Sequence, residues 1–515
     1  MVGCSETTGD GGSGGAAGDG GSGGTGGAIL CEGDFDCDDE NECTKELCDL
    51  ADGMCAYSNE PKSTACDGDG VCDGAGTCVE CNGDEQCDNF NDCTSDSCDS
   101  ENGLCNDSTP VADGTECAGG TCEAGACALS GTILSCSEQG IRNAIAAGGD
   151  DTYTFDCNGP TTIVTEAEIV IDNDVILDGE GNLAVDGNDD HRIFSVTAGV
   201  TVELHGFTVT RGATSGTRDF PELGGGISND GTLTLTNSTV SASSFGGISN
   251  GRGGELTISN CSVSGNTGAG IWNDGTLSVT VTGSTVSRNG QGIWNNGPLS
   301  MTGSTVSGNF VEGGVQNAEE GTLTLTNSTV SGNAGGGIGN DGTMTLTNST
   351  VSGNKGKSGG TGGGIVNSAS LTVISSTVAN NSGWGDALYI EGCFPDRECM
   401  TTIANTLIQG DCVSSDRAEP LTSAGYNIES PGNNCGFDPD GTDEVNVSAE
   451  GLNLGELADN GGPTMTHALL TVPVVSAAIN QIPEAMCEVT EDQRGVARPQ
   501  GPACDVGAFE LEVAP

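Results

Sequence analysis

Trp272 and Trp294 are the side chains of this sequence best suited to hold a ligand, because each fills the middle of an Ile-Trp-Asn triplet, at Ile271-Trp272-Asn273 and Ile293-Trp294-Asn295. Indoles projecting from equivalent places on consecutive repeats would lie one above the other and offer a platform to a sugar ring. The same spacing also suits a simple cross-rung packing pair. Chemistry on a glycan would demand more: several carboxylates converging on one face, often with calcium and a basic residue. Asp230, Asp274 and Asp341 recur at one place in the repeat, but the turns between them carry Gly251, Asn296 and Ala318 there. Asp230 and Asp274, two turns apart, would be separated by about 10 Å. Each of the three aspartates also precedes a glycine, which turn formation explains without catalysis. Asp189-Asp190-His191-Arg192 is the one stretch where acid, imidazole and guanidinium adjoin. Its place at the entry to the repeats reads as structural. Histidines occur only at 191, 205 and 467, so a histidine metal centre is not expected. No catalytic residues are assigned.

The remaining reactive side chains are cysteines, 26 of them, far too many for a reducing compartment. Residues 31–127 hold two consecutive eight-cysteine units: Cys31, Cys37, Cys43, Cys48, Cys55, Cys66, Cys72 and Cys78, then Cys81, Cys87, Cys93, Cys98, Cys105, Cys117, Cys122 and Cys127. The first four spacings, 6, 6, 5 and 7, are shared, as a duplication would leave them. An even count per unit predicts four disulfides in each, with the pairing open. Thiolate metal binding is the competing reading, disfavoured because export would oxidise the sulfurs. Further bridges are expected between Cys136 and Cys157 and between Cys487 and Cys504, with two more among Cys393, Cys399, Cys412 and Cys435. Cys261 stands where other repeats have Ser238, Ser284, Ser304, Ser328 and Ser349, and reads as an inert buried thiol. Acidic loops at Asp34 to Glu42 and at Asp67-Gly68-Asp69 make calcium the one cofactor the sequence suggests, although neither has the EF-hand spacing.

These residues need a scaffold, and a repeat of roughly 20 to 27 residues supplies it from about residue 160 onward. One copy runs Gly336-Gly337-Ile338-Gly339-Asn340-Asp341-Gly342-Thr343-Met344-Thr345-Leu346-Thr347-Asn348-Ser349-Thr350-Val351-Ser352-Gly353-Asn354. Alternation of period two points Met344 and Leu346 inward. The phase flips at Asn348, and Ser349 and Val351 then take the inward places, as happens when one strand ends and another begins around a corner. Three short strands per unit stack into a parallel coil whose turns rise by about 4.8 Å. Ile227, Ile248, Ile271 and Ile293 should then line one interior row. Asn229, Asn250, Asn273, Asn295, Asn317, Asn340 and Asn367 should stack as a hydrogen-bonded ladder. The Asp-Gly and Asn-Gly pairs at 230–231, 274–275, 296–297 and 341–342 are expected to supply turns with positive φ. The fold class is therefore all-β, a right-handed parallel β-helix preceded by small disulfide-rich modules.

The repeats resemble those of bacterial polymorphic outer-membrane proteins, with Gly-Gly-Ile at 246–248 and Ser-Gly-Asn at 307–309. Toward the C-terminus, Asn460-Gly461-Gly462-Pro463-Thr464, His467-Ala468-Leu469, Asp492-Gln493-Arg494-Gly495, Arg498-Pro499 and Cys504-Asp505-Val506-Gly507-Ala508-Phe509-Glu510 resemble the signature of the choice-of-anchor Q family, as does Arg192-Ile193-Phe194-Ser195-Val196. That resemblance implies display on a bacterial surface and carries no assigned catalytic residue. Met1-Val2-Gly3-Cys4 is similar to the end of a lipoprotein signal, which would make Cys4 a lipid-attachment site, and residues 5–30 form a Gly/Ser-rich tether behind it. A formal charge of −60 excludes nucleic acid as a natural partner and leaves membrane contact to a lipid anchor. The expected layout is anchor and linker over 1–30, cysteine modules over 31–127, β-helix over 128–445, and a segment capping the coil over 446–515. The expected function is non-enzymatic adhesion or binding at the bacterial cell surface or outer membrane, or otherwise as a secreted protein, to a glycan or an envelope or cell-surface protein. A polysaccharide lyase or glycoside hydrolase is the alternative.

Overall fold

The computed structural model describes residues 37, 41–49, 54–66, 70–99, 101–214, 224–357, 362–391, 399–416, 418–439 and 441–512. The chain divides into two compact units, Met1–Asn89 with Ser95–Thr109, and Phe90–Thr94 with Pro110–Pro515. The second eight-cysteine unit is shared between them, so a boundary at residue 127 does not coincide with either.

In the second unit the chain winds into a parallel β-helix with three strands per turn. One turn comprises Ala269–Asn273, Val279–Thr282 and Thr285–Ser287. First strands pair only with first strands, from Ile169–Ile171 to Cys412–Ser414, in an 11-stranded sheet. Second and third strands join in a 23-stranded sheet around the rest of the coil. Ile227, Ile248, Ile271 and Ile293 are in register along one interior row, each at most 1% exposed. Leu233, Leu256, Val279, Leu299 and Leu323 form another. These aliphatic rows make one continuous core.

Two asparagine ladders run beside the rows. In the first, each side chain from Asn229 to Asn340 donates through Nδ2 to Oδ1 of the asparagine one turn on, at 2.7 to 3.0 Å, ending on Asn367. The second links Asn266, Asn289, Asn309, Asn333, Asn354 and Asn381 in the same manner. Both pair buried side-chain amides, for which an unmade hydrogen bond is costly. The first begins at Asn229, whose own Oδ1 has no partner among the described residues.

The turn chemistry differs from the sequence expectation. Gly231, Gly275, Gly297 and Gly342 do not have positive φ. They are glycine because a Cβ at Gly275 or Gly342 would collide with the preceding turn's carbonyl and ladder amide. Positive φ instead occurs at the phase flip, at Asn237, Asn260, Asn327 and Asn348 and at Gly283 and Gly303. Asparagine tolerates this left-handed corner better than other L-residues.

The helix Glu138–Ala147 closes the N-terminal end. Its cap is Ser137, whose hydroxyl accepts from the Gly140 amide at 3.1 Å, and its Ile141, Ala144 and Ile145 are buried in the coil core. At the other end Glu429 replaces the aliphatic residue of its row, in register with Ile408. It accepts from the Cys435 amide at 3.2 Å, and burial raises its pKa.

Residues 446–512, the segment expected to cap the coil, lie along its flank. Thr464 donates to the Asn327 carbonyl at 3.0 Å, Thr329 to the Met465 carbonyl at 2.7 Å, and the Ala508 amide to Thr377 Oγ1 at 3.0 Å. Gln493 bridges Thr329 and Thr350 at 2.8 and 2.6 Å. The reason is the outward row of third strands: Thr329, Thr350 and Thr377 offer stacked hydroxyls along the axis, and the segment follows them across several turns. Within it Arg494 pairs with Asp492 at 2.8 Å and stacks on Phe509 at 3.7 Å. Arg498 holds the Asp505 and Gly507 carbonyls at 2.8 and 2.7 Å.

Burial pushes the Asp505 carboxyl up to about 6 from 3.8, against the opposing hydrogen bonds from the Leu511 and Asn480 amides. The folded state therefore holds this proton more tightly than the unfolded state does. The resulting stabilisation is full below pH 3.8 and is lost as pH rises to about 6. Asp505→Asn should flatten the stability profile of the flank segment between pH 4 and 6, read by hydrogen exchange of residues 476–511. An unchanged slope would show that Asp505 does not titrate there.

Candidate functional site

The 11-stranded sheet presents its middle residues outward, and the register places Ser228, Ser249, Trp272, Trp294 and Gln316 in one column. The two indoles stack with ring centroids 3.7 Å apart and planes inclined by 11°. Both are half-buried. Ser228 and Ser249 are short, so the column drops from the tryptophans to a low floor. Asp230, Gly251 and Asp274 follow the ladder asparagines at the rim, with Arg252 beside them. Together these residues line a groove of about 570 Å³.

The rim is electrically uneven. Asp274 is engaged through both oxygens, by Asn296 Nδ2 at 3.0 Å and Arg252 Nε at 3.2 Å. Arg252 is 85% exposed, so this surface ion pair contributes little to stability. The sequence reading missed Arg252. The signal was there: one of only 14 Lys and Arg residues sits in the loop between two aspartate-bearing turns. The structure brings Asp230 and Asp274 to one groove and leaves Asp341 apart. Asp341 accepts from Gln316 Nε2 at 2.7 Å and lines a second hollow of about 260 Å³ with Gly339 and Glu391.

The acid-imidazole-guanidinium stretch has structural partners. Arg192 reaches Glu168 and the Gly224 carbonyl, each at 3.0 Å, and His191 shares a hydrogen bond with Thr165 at 2.8 Å. Nearby, Arg211 grips both oxygens of Asp186 at 2.6 to 2.9 Å. The other histidines are far apart in their contacts: His205 meets Glu203 at 3.1 Å, while His467 lies between Ser352 and the Gly455 carbonyl.

Cys136 bonds Cys157, Cys412 bonds Cys435 and Cys487 bonds Cys504; Cys399 is disulfide-bonded, and Cys393 lies outside the described residues. In the second cysteine unit the pairs are Cys81–Cys98, Cys87–Cys105, Cys93–Cys122 and Cys117–Cys127. The first unit repeats this order at Cys37–Cys55, Cys43–Cys72 and Cys66–Cys78. Cys261 is buried and free, and burial raises the pKa of its thiol. It replaces serine in a row of backbone contacts, with the Ser238 amide 3.4 Å from its sulfur. Cys4, Cys31, Asp34 and the Asp67-Gly68-Asp69 loop lie outside the described residues.

A family model described as the right handed beta helix region matches residues 222–355. The coil is a right-handed parallel β-helix. The crystal structure of pectate lyase Pel9A aligns with a TM-score of 0.41 and 16% identity, covering 71% of this chain and 90% of that one. No curated protein matches the chain.

Proposed function

We propose that this chain is a non-enzymatic, exported bacterial surface protein that binds a glycan in the groove beside Trp272 and Trp294. The stacked indole pair in a groove with a polar rim carries the reading: aromatic faces take the apolar side of a sugar while side-chain oxygens take its hydroxyls. Export is supported by oxidation, since every described cysteine except Cys261 is in a disulfide. Attachment through a lipidated Cys4 would display the coil at the cell surface, with the Gly/Ser-rich stretch as its tether. Asp230, Asp274 and Arg252 also line this groove, the acid and base set that the lyase or hydrolase alternative would use, and product formation separates the two readings.

The test is retention on immobilised polysaccharides. Trp272→Ala combined with Trp294→Ala should lower retention at least tenfold. The accompanying stability loss should comprise the aromatic-pair term of about 0.5–1.5 kcal/mol plus the apolar area the two half-buried indoles cover, and leave the coil folded. Retention equal to wild type would remove the groove from the reading. New reducing ends or unsaturated sugars appearing at catalytic rates would replace binding with catalysis.

A further inference from the structure

We infer that Asp230 is the polar determinant of this groove, and that it selects an uncharged sugar with adjacent hydroxyls over a uronate. The inference rests on the glycan-binding reading above and names its ligand class. Asp230 is exposed, and no described residue donates a hydrogen bond to its carboxylate. Its counterpart two turns on, Asp274, has both oxygens occupied. Asp230 is thus the carboxylate of the groove whose acceptor capacity is unspent.

Its position is held open by the neighbouring turn. A Cβ built on Gly251 would overlap Asp230 Oδ1. Gly251 does not have positive φ, so its backbone conformation does not call for glycine. The glycine leaves room for the carboxylate where it stands, and a methyl group there would push it aside. Asp230 can therefore lean across the Gly251 rung toward the low floor made by Ser228 and Ser249, beside the wall of Trp272.

A carboxylate presents two oxygens that match a pair of neighbouring hydroxyls, in charge-assisted bonds stronger than neutral ones. A uronate would bring a second carboxylate to the same rim. The cation there, Arg252, is already paired with Asp274 and lies in water, and the chain as a whole carries −60. Like charges facing one another in a groove reject the ligand more effectively than a missing contact would.

Titration calorimetry with neutral gluco-, manno- and galacto-oligosaccharides and with oligogalacturonate tests this on the full chain. Wild type should bind at least one neutral series and prefer it over oligogalacturonate at least tenfold. Asp230→Asn should weaken the neutral ligand at least tenfold and narrow that preference. Gly251→Ala should do the same by displacing the carboxylate without removing it. Both variants should keep the wild-type melting temperature, because the clash is with the far end of an exposed side chain. Wild-type affinity in both variants, with binding still lost in the double tryptophan variant, would overturn the role of Asp230 and leave the indole platform standing. Preference for oligogalacturonate would overturn the ligand class. No binding to any oligosaccharide would overturn this inference together with the reading beneath it.

Discussion

Asn295→Ala should destabilise the coil by about 3–5 kcal/mol, a large fraction of what a domain possesses. Asn295 is fully buried. Its Nδ2 donates to Asn317 Oδ1 at 2.7 Å, and its own Oδ1 accepts from Asn273 Nδ2 at 2.7 Å. Truncation leaves the Asn273 amide without its acceptor and the Asn317 oxygen and the Gly297 carbonyl without their donor. Each orphaned group costs about 1–3 kcal/mol, and the vacated space adds a cavity term. Thr324→Ala is the control. Thr324 lies outward and half-exposed and should change stability by no more than about 0.5 kcal/mol. Chemical denaturation of the two variants compares them directly. Equal midpoints would mean that the ladder is a by-product of stacking and contributes nothing net.

That ladder was legible in the sequence because its residues repeat with the period of the coil. So were the aliphatic rows, since a two-residue alternation that flips at a fixed asparagine admits few arrangements. The second ladder was less visible. Asn309, Asn333 and Asn354 sit in Ser-Gly-Asn, which resembles a loop, and only the register of the third strands shows that their amides face inward and stack. The glycines at 275 and 342 were misread for a related reason. A Gly after Asp suggests positive φ when only neighbours in sequence are considered, whereas these glycines answer to a carbonyl one turn away. The course of residues 446–512 was illegible for the same cause. Thr329, Thr350 and Thr377 look like ordinary outward strand threonines until something is laid over them. The groove itself was half legible. The tryptophans announced themselves by repetition, but Arg252 occurs once, in a loop, and repetition is silent about single residues.

Reduction of the native protein should unfold the cysteine modules while leaving the coil intact, because the two parts are held by different forces. Before Leu129, the buried side chains among the described apolar residues are all cysteines: Cys37, Cys43, Cys66, Cys72, Cys81, Cys93 and Cys122. With no aliphatic core to retain them, the modules depend on cross-links. The Cys43–Cys72 and Cys93–Cys122 bridges each close 29 residues, and a loop of that size is worth about 3.5 kcal/mol in lost chain entropy. The coil differs in kind. Its bridges lie at the helix-capped entry and in the late turns, at Cys136–Cys157 and Cys412–Cys435, while the turns from 227 to 381 contain no bridge among the described residues and stand on aliphatic rows and amide ladders. Under dithiothreitol without denaturant, hydrogen exchange should reach the fully exposed rate across 41–89, which belong to the other compact unit, and stay slow across 227–381. Replacing Cys43 and Cys72 with Ala should reproduce the effect for residues 41–79 in the oxidised protein. Reduced modules that kept their protection would require another source of order. A divalent cation at the acidic loops would then be the first candidate, and protection that disappeared on chelation would identify it.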